Sequence, residues 1–78
     1  MERYDFSHRL SEVGMSQKKL LGLMQERYGE QIHESLFSRI KGGGKCGEKG
    51  EEMLRRASDL LAERERLLGI ENAYTKEE

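Results

Sequence analysis

The second half of the chain carries a wide apolar stripe with the period of an α-helix, and this feature most limits the possible fold. Its members recur every seven residues along two lines: Leu54, Leu61 and Leu68 on one, and Met53, Leu60 and Leu67 on the other. Gly69 follows, and glycine is typical of the residue just past a helix end. The pattern predicts one helix over residues 48–68, about 31 Å long. A chain of 78 residues then has room only for short elements beside it.

Three shorter helices are predicted in the first half, over residues 4–13, 16–28 and 33–40. Ser16 has the side chain of a good N-cap, and Gly14 and Gly29 follow the first two patterns as stop residues. The third pattern ends at three consecutive glycines from Gly42, each of which costs about 1 kcal/mol inside a helix. No segment alternates with a period of two. The sequence therefore predicts an all-α domain of four main helices over residues 1–69, followed by a flexible tail over 70–78.

Charge and cysteine content narrow the class of protein. The net charge is -1, but residues 1–50 carry +2 and residues 51–78 carry -3. Positive charge is concentrated at Arg39, Lys41, Lys45 and Lys49. The single cysteine, Cys46, excludes an internal disulfide and suits a reducing compartment. No apolar run approaches the roughly 20 residues of a membrane span. We expect a cytoplasmic protein with no membrane partner.

The residues that could carry chemistry form no catalytic pattern. Glycines 42, 44 and 47 spell G-x-G-x-x-G, but no strand precedes them and the chain is too short for a dinucleotide fold. Glu48 stands where a P-loop needs lysine. Cys46, His8 and His33 match no local signature of a nucleophile with its base, nor a zinc ligand set. We therefore expect no enzyme, no cofactor and no metal, and we interpret residues 42–50 as a flexible basic connector.

Two short motifs lie on the second and third predicted helices. Ser16-Gln17 opens the second helix, and Phe37-Ser38-Arg39-Ile40 precedes the glycine run at the end of the third. This pattern resembles the XRE-type (Cro and phage-repressor-like) helix-turn-helix family over about residues 6–61. The resemblance implies a small transcriptional regulator of phage or mobile-element type, acting on double-stranded DNA in a bacterial host cell. Residues 33–41 would be its recognition helix in the major groove.

The resemblance and the chemistry of the side chains together assign two sets of DNA contacts. The family's base-contacting positions map to His33, Glu34, Ser35 and Ser38. Contacts to phosphate are expected from polar and basic residues at the helix ends and the connector: Ser16, Gln17, Lys18, Lys19, Arg39, Lys41 and Lys45. Glu34 would need a cytosine amino group or a water as its partner near DNA.

Two departures from the family pattern concern the connection between these helices. Residues 25–31 separate them by about five residues more than is usual in the family, and Leu21 stands where the family prefers alanine. Either the second helix extends to Tyr28, or the turn is enlarged. Both departures bear on the angle between the two helices.

The long helix raises the question of a partner. The small body cannot easily cover a helix of about 31 Å. Part of the apolar stripe is therefore expected to pack in the core, and Leu54, Leu61 and Leu68 are expected to face a partner, most simply a second copy in a homodimer. The alternative function is a protein-binding regulator or inhibitor that grips its partner with the acidic long helix. Convergence of the predicted cations on one face would favour DNA over a protein partner.

Overall fold

The computed structural model describes residues 2–75 and contains four α-helices in that range, with no strand. The helices are α1 (Phe6–Val13), α2 (Gln17–Tyr28), α3 (Glu34–Lys41) and α4 (Gly47–Leu67), and a short 3₁₀ turn (Arg3–Asp5) precedes them. The all-α fold class predicted from the sequence is confirmed. No helix in residues 2–75 is long and apolar enough to cross a membrane.

The helix ends follow the local signals. The Ser16 hydroxyl accepts a hydrogen bond from the backbone N–H of Lys19 at 3.1 Å, which caps α2. Gly14 and Gly29 adopt left-handed φ angles of 70° and 69° at the ends of α1 and α2. The second helix thus extends to Tyr28, and residues 29–33 form the connection to α3. The extra residues relative to the family pattern are taken up largely by a longer α2.

The α3–α4 connection is shorter and tighter than a flexible linker. It spans residues 42–46, because α4 already begins at Gly47. The Gly44 N–H donates to the Arg39 carbonyl at 3.0 Å, and a Cβ on Gly44 would lie 2.8 Å from that oxygen. Gly50 is buried inside α4, where a Cβ would lie 2.1 Å from the Cys46 Cβ. Steric close approach explains these two glycines, so the interpretation of 42–50 as one flexible connector is wrong.

The core lies where α4 crosses the three shorter helices. The Phe6 and Phe37 rings meet edge to face with their centroids 5.2 Å apart, which joins α1 to α3. Other fully buried side chains come from α2, α3 and α4: Leu20, Met24, Ile40, Leu54 and Leu61. Leu21 is also buried.

The seven-residue line predicted to face a partner is divided by this packing. Leu54 and Leu61 are fully buried within the monomer, whereas Leu68 is 55% exposed just past the end of α4. The prediction that all three face a second copy is therefore wrong for Leu54 and Leu61. The buried residues of α4 run from Gly50 to Glu65, whereas Leu67 and Leu68, which follow them, are exposed.

The C-terminal segment is docked and not free. Thr75 is buried, and the Asn72 side chain donates to Glu65 Oε2 at 2.5 Å. Tyr74 places its ring 4.3 Å from the guanidinium carbon of Arg9. The prediction of a flexible tail is therefore wrong for residues 70–75, and its remainder, 76–78, lies outside the described residues.

Candidate nucleic-acid interface

The start of α2 lies against the exposed face of α3. The Gln17 side-chain amide donates to the Ser38 hydroxyl at 2.9 Å and to the Glu34 carbonyl at 3.4 Å. These bonds fix the first turn of α2 beside the middle of α3. The Ser38 hydroxyl accepts from Gln17 and keeps its own proton, which remains able to donate to a ligand. Gln17, assigned from one motif, thus contacts Ser38, assigned from the other.

The two faces of α3 differ sharply in polarity. Phe37 and Ile40 are buried in the core and hold the helix to the body. The four predicted base-contacting residues all lie on the solvent side: His33, Glu34, Ser35 and Ser38 are exposed. His33 is the N-cap residue of α3 and makes no capping bond with its side chain. This face therefore offers hydrogen-bonding groups that only partly engage the rest of the protein.

Cations without an ion-pair partner lie beside this face and at its C-terminal end. Lys18, Lys19, Arg39 and Lys45 are exposed, and none has a carboxylate within 4.0 Å among residues 2–75. The first two lie in the opening turn of α2, whose start is fixed to α3 by Gln17. The other two lie at the end of α3 and in the connection that follows it.

Elsewhere on the described surface, arginines are mostly neutralised. Arg55 pairs with Glu52 and Asp59 at 2.5 and 3.2 Å. Arg56 pairs with Glu30 at 2.5 Å, and Arg27 forms an ion pair with Glu63. Because these pairs cancel charge along α4, the positive charge near α3 stands out more than the net charge of -1 suggests.

Lys41 is an exception among the predicted phosphate contacts. Its Nζ donates to the Ser7 hydroxyl at 3.1 Å and lies 3.8 Å from Glu2 Oε2, and its side chain is only 15% exposed. The amine is thus already engaged at the start of α1. The assignment of Lys41 as a phosphate contact is corrected for this reason: the sequence placed it at the correct helix end but not on the free face.

Lys49 joins the basic group, although the sequence-based site did not include it. Arg39, Lys45 and Lys49 border a groove of about 370 Å³ between α3 and α4, with Ile40 and Met53 among its apolar lining. Lys49 was visible in the basic segment 39–49. Its position beside Arg39 and Lys45 depends on the packing of the first turn of α4 against the end of α3, which the sequence does not show.

Groups suited to other chemistry are engaged elsewhere. The half-buried Cys46 thiol lies 3.6 Å from Glu51 Oε1 and 3.7 Å from Arg3 Nη1. His8 contacts Glu12 at 2.7 Å, away from Cys46. Within residues 2–75 no three His, Cys, Asp or Glu side chains lie close enough to hold a metal ion.

The chain matches no protein-family model, no curated protein and no solved structure. A function can therefore be inferred only from the residues and geometry of this chain.

Proposed function

We propose that the protein is a sequence-specific DNA-binding transcriptional regulator of phage or mobile-element type, acting in the cytoplasm of a bacterial host cell. The observation that carries the proposal is the placement of unpaired cations beside the exposed polar face of α3 and at its C-terminal end. DNA binding needs base-reading groups on an exposed face with positive charge beside it, and α3 has both. The proposed activity is binding without a catalytic step.

The recognition element would be α3 together with its N-cap. Its eight helical residues span about 12 Å along the axis, and the major groove, about 12 Å wide, accommodates the cross-section of an α-helix. Ser35 and Ser38 can donate to or accept from base edges, and His33 offers a ring nitrogen of either kind. Glu34 would select a cytosine amino group or act through water.

Phosphate contacts would come from both sides of this helix. On the α2 side, the backbone N–H groups of Gln17 and Lys18 are free for a phosphate oxygen, since the Ser16 cap uses that of Lys19. Lys18 and Lys19 add charge there. On the α4 side, Arg39, Lys45 and Lys49 would contact the opposite backbone. The affinity should therefore depend strongly on salt.

The experiment is fluorescence anisotropy of a labelled random-sequence duplex pool, titrated at about 50 and about 200 mM salt. Arg39→Gln should weaken binding on all sequences and lower the salt slope by about 1. Arg55→Gln is the matched control, because it removes the same charge from an exposed arginine on α4 that is already paired. Absence of binding at low salt, or equal loss in the two variants, would contradict the proposal.

A second candidate function, a protein-binding regulator, is favoured by one observation. Leu67 and Leu68 are 82% and 55% exposed at the end of α4, and exposed large apolar residues often mark contacts with protein. The acidic residues of α4 give this function less support, because Glu52, Asp59 and Glu63 already form ion pairs with arginines of the same chain. Pull-down with the intact chain, compared with Leu67→Glu, would test this function if DNA binding fails.

A further inference from the structure

A shallow groove lies between α2 and the C-terminal half of α4, on elements distinct from the exposed face of α3. It has a volume of about 380 Å³ and an apolar lining of Leu23, Leu60 and Leu67. Leu60 is buried, whereas Leu67 is 82% exposed and follows it by two helical turns on the same stripe. The apolar stripe of α4 thus continues past the edge of the core onto the surface.

The charges beside this groove are arranged as a self-complementary pair. Glu26 lies on the α2 wall and Arg64 on the α4 wall, and both are exposed. Neither has an opposite charge within 4.0 Å among residues 2–75. The other two charges of the rim, Arg27 and Glu63, already pair with each other across the groove. One acid and one base, on opposite walls, therefore remain unsatisfied.

We propose that this groove is the interface for a second copy of the chain, with Leu67 of each protomer packed into the groove of the other. In a dimer with two-fold symmetry, every contact occurs twice, with the roles of the two copies exchanged. The α2 wall of one copy then faces the α4 wall of the other. Glu26 meets Arg64 twice, once in each direction, and the exposed leucine of each copy leaves water.

The charge pattern selects a second copy over an unrelated protein. A groove with one free acid and one free base is complementary to itself, whereas a partner of uniform charge would leave one of the two unpaired. The dimer deepens the proposed function, because it would present two α3 helices to two half-sites. The interface itself rests on the groove, so it is tested without DNA.

The first measurement is analytical ultracentrifugation of the intact chain over a concentration series. The unchanged protein should form dimers, and Leu67→Glu should raise the dissociation constant about tenfold or more while leaving the helical content unchanged, because this side chain contributes little to the core. Arg55→Glu, a charge reversal on α4 outside the groove, should leave the dissociation constant within about twofold of the unchanged protein. A monomer at all concentrations would overturn the inference.

A charge-reversal mixture then tests the pairing. Glu26→Arg alone and Arg64→Glu alone each place like charges across the two-fold axis, so each should dimerise about tenfold more weakly. Mixed in equal amounts, the two variants should form heterodimers, because every facing pair is then opposite in charge. Restored association only in the mixture supports the interface. Dimerisation that is unaffected by both substitutions would show that another face forms the dimer and would overturn the proposed interface.

The two proposals fail separately. A monomer that still binds DNA with a steep salt dependence would remove the interface and leave the proposed function standing. A dimer that is weakened by each single charge reversal and restored in the mixture, but binds no DNA, would support the interface and contradict the proposed function.

Discussion

The Arg9 guanidinium lies 2.7 Å from Glu65 Oε1, and both side chains are fully buried, 56 residues apart in sequence. The same guanidinium donates to the Ser58 hydroxyl at 2.8 Å and to the Ser58 carbonyl at 3.2 Å. Glu65 also accepts from Asn72. A buried charge is costly unless it is paired and hydrogen-bonded. This network therefore fixes how α1, α4 and the C-terminal segment fit together.

Breaking the pair on one side should strongly destabilise the fold. Glu65→Ala leaves the Arg9 charge buried without its carboxylate, and we expect a loss of about 3–5 kcal/mol. That is much of the about 5–15 kcal/mol that holds a typical domain folded. The double variant Arg9→Met with Glu65→Leu should be less destabilised than Glu65→Ala, since it buries no unpaired charge. The free energy of unfolding of all three proteins is measured by urea unfolding, monitored by circular dichroism. A double variant as unstable as Glu65→Ala would contradict the cost assigned to the unpaired charge.

Loss of the contact between the C-terminal segment and Glu65 should also be measurable. Asn72→Ala removes a hydrogen bond to a buried carboxylate, for which we expect a loss of about 1.5–3 kcal/mol. Hydrogen exchange should then become faster in residues 70–75. Glu71→Ala is the neighbouring control, because Glu71 is exposed. Equal stability of the two variants would show that the docked segment contributes little.

Two helical glycines should respond in opposite directions to alanine. At Gly50 an added Cβ would lie 2.1 Å from the Cys46 Cβ, so Gly50→Ala must displace the start of α4. We expect it to cost about 1–3 kcal/mol, as overpacking does. At Gly22 nothing lies within 4 Å of the added Cβ. Gly22→Ala should stabilise the protein by about 0.5–1 kcal/mol, because alanine loses less backbone entropy than glycine in a helix. Thermal unfolding should show a lower midpoint temperature for Gly50→Ala and a higher one for Gly22→Ala than for the unchanged protein.

The start of α1 should make stability depend on pH through Glu2. Its carboxylate accepts from the Ser7 N–H at 2.5 Å and from the Ser7 hydroxyl at 2.7 Å, with Lys41 nearby. Partial burial raises the pKa of Glu2, but the Ser7 hydrogen bonds and the Lys41 charge outweigh it and lower the pKa below 4.5. A carboxyl with a lowered folded-state pKa gives stability that is fully present above its unfolded pKa. That stability is lost as the pH falls through the folded pKa.

Glu2→Gln tests this dependence. The variant should be less stable than the unchanged protein by about 1 kcal/mol near neutral pH, the usual scale of a helix cap. The difference should shrink as the pH falls through the lowered folded-state pKa of Glu2, where the carboxylate of the unchanged protein becomes protonated. Urea unfolding at a series of pH values measures it. A difference that stays constant down to strongly acidic pH would exclude the Glu2 carboxylate as its source.

Ser35 should influence which DNA sequence is preferred and not how strongly DNA in general is bound. It is exposed at the start of α3, and its hydroxyl makes no hydrogen bond within residues 2–75. Selection from a random duplex pool with Ser35→Ala should give a changed base preference at one position of each half-site, worth about 1–3 kcal/mol. An equal loss on every sequence would contradict the proposed docking of α3.

Much of the secondary structure could be predicted because its signals are local. Ser16 caps α2 with its own side chain, Gly14 and Gly29 supply the left-handed conformations that end two helices, and a seven-residue apolar repeat outlines α4. Each of these signals involves residues that lie within about seven positions of one another in the sequence. Local chemistry also placed the polar residues of α3 on one face, because Phe37 and Ile40 must turn inward.

Tertiary packing decided what a one-dimensional pattern leaves open. The leucine line of α4 looks uniform, yet Leu61 is buried and Leu68 exposed, since burial depends on where the short helices cross. Lys41 and Arg39 are both basic residues at the end of α3, but only Lys41 faces Ser7 and Glu2, which engage its charge. The Arg9–Glu65 pair joins residues whose separation in sequence carries no signal. The sequence alone determined the helices and their polarity, and the tertiary structure decided which charges and leucines remain free, because neutralisation and burial depend on neighbours distant in the chain.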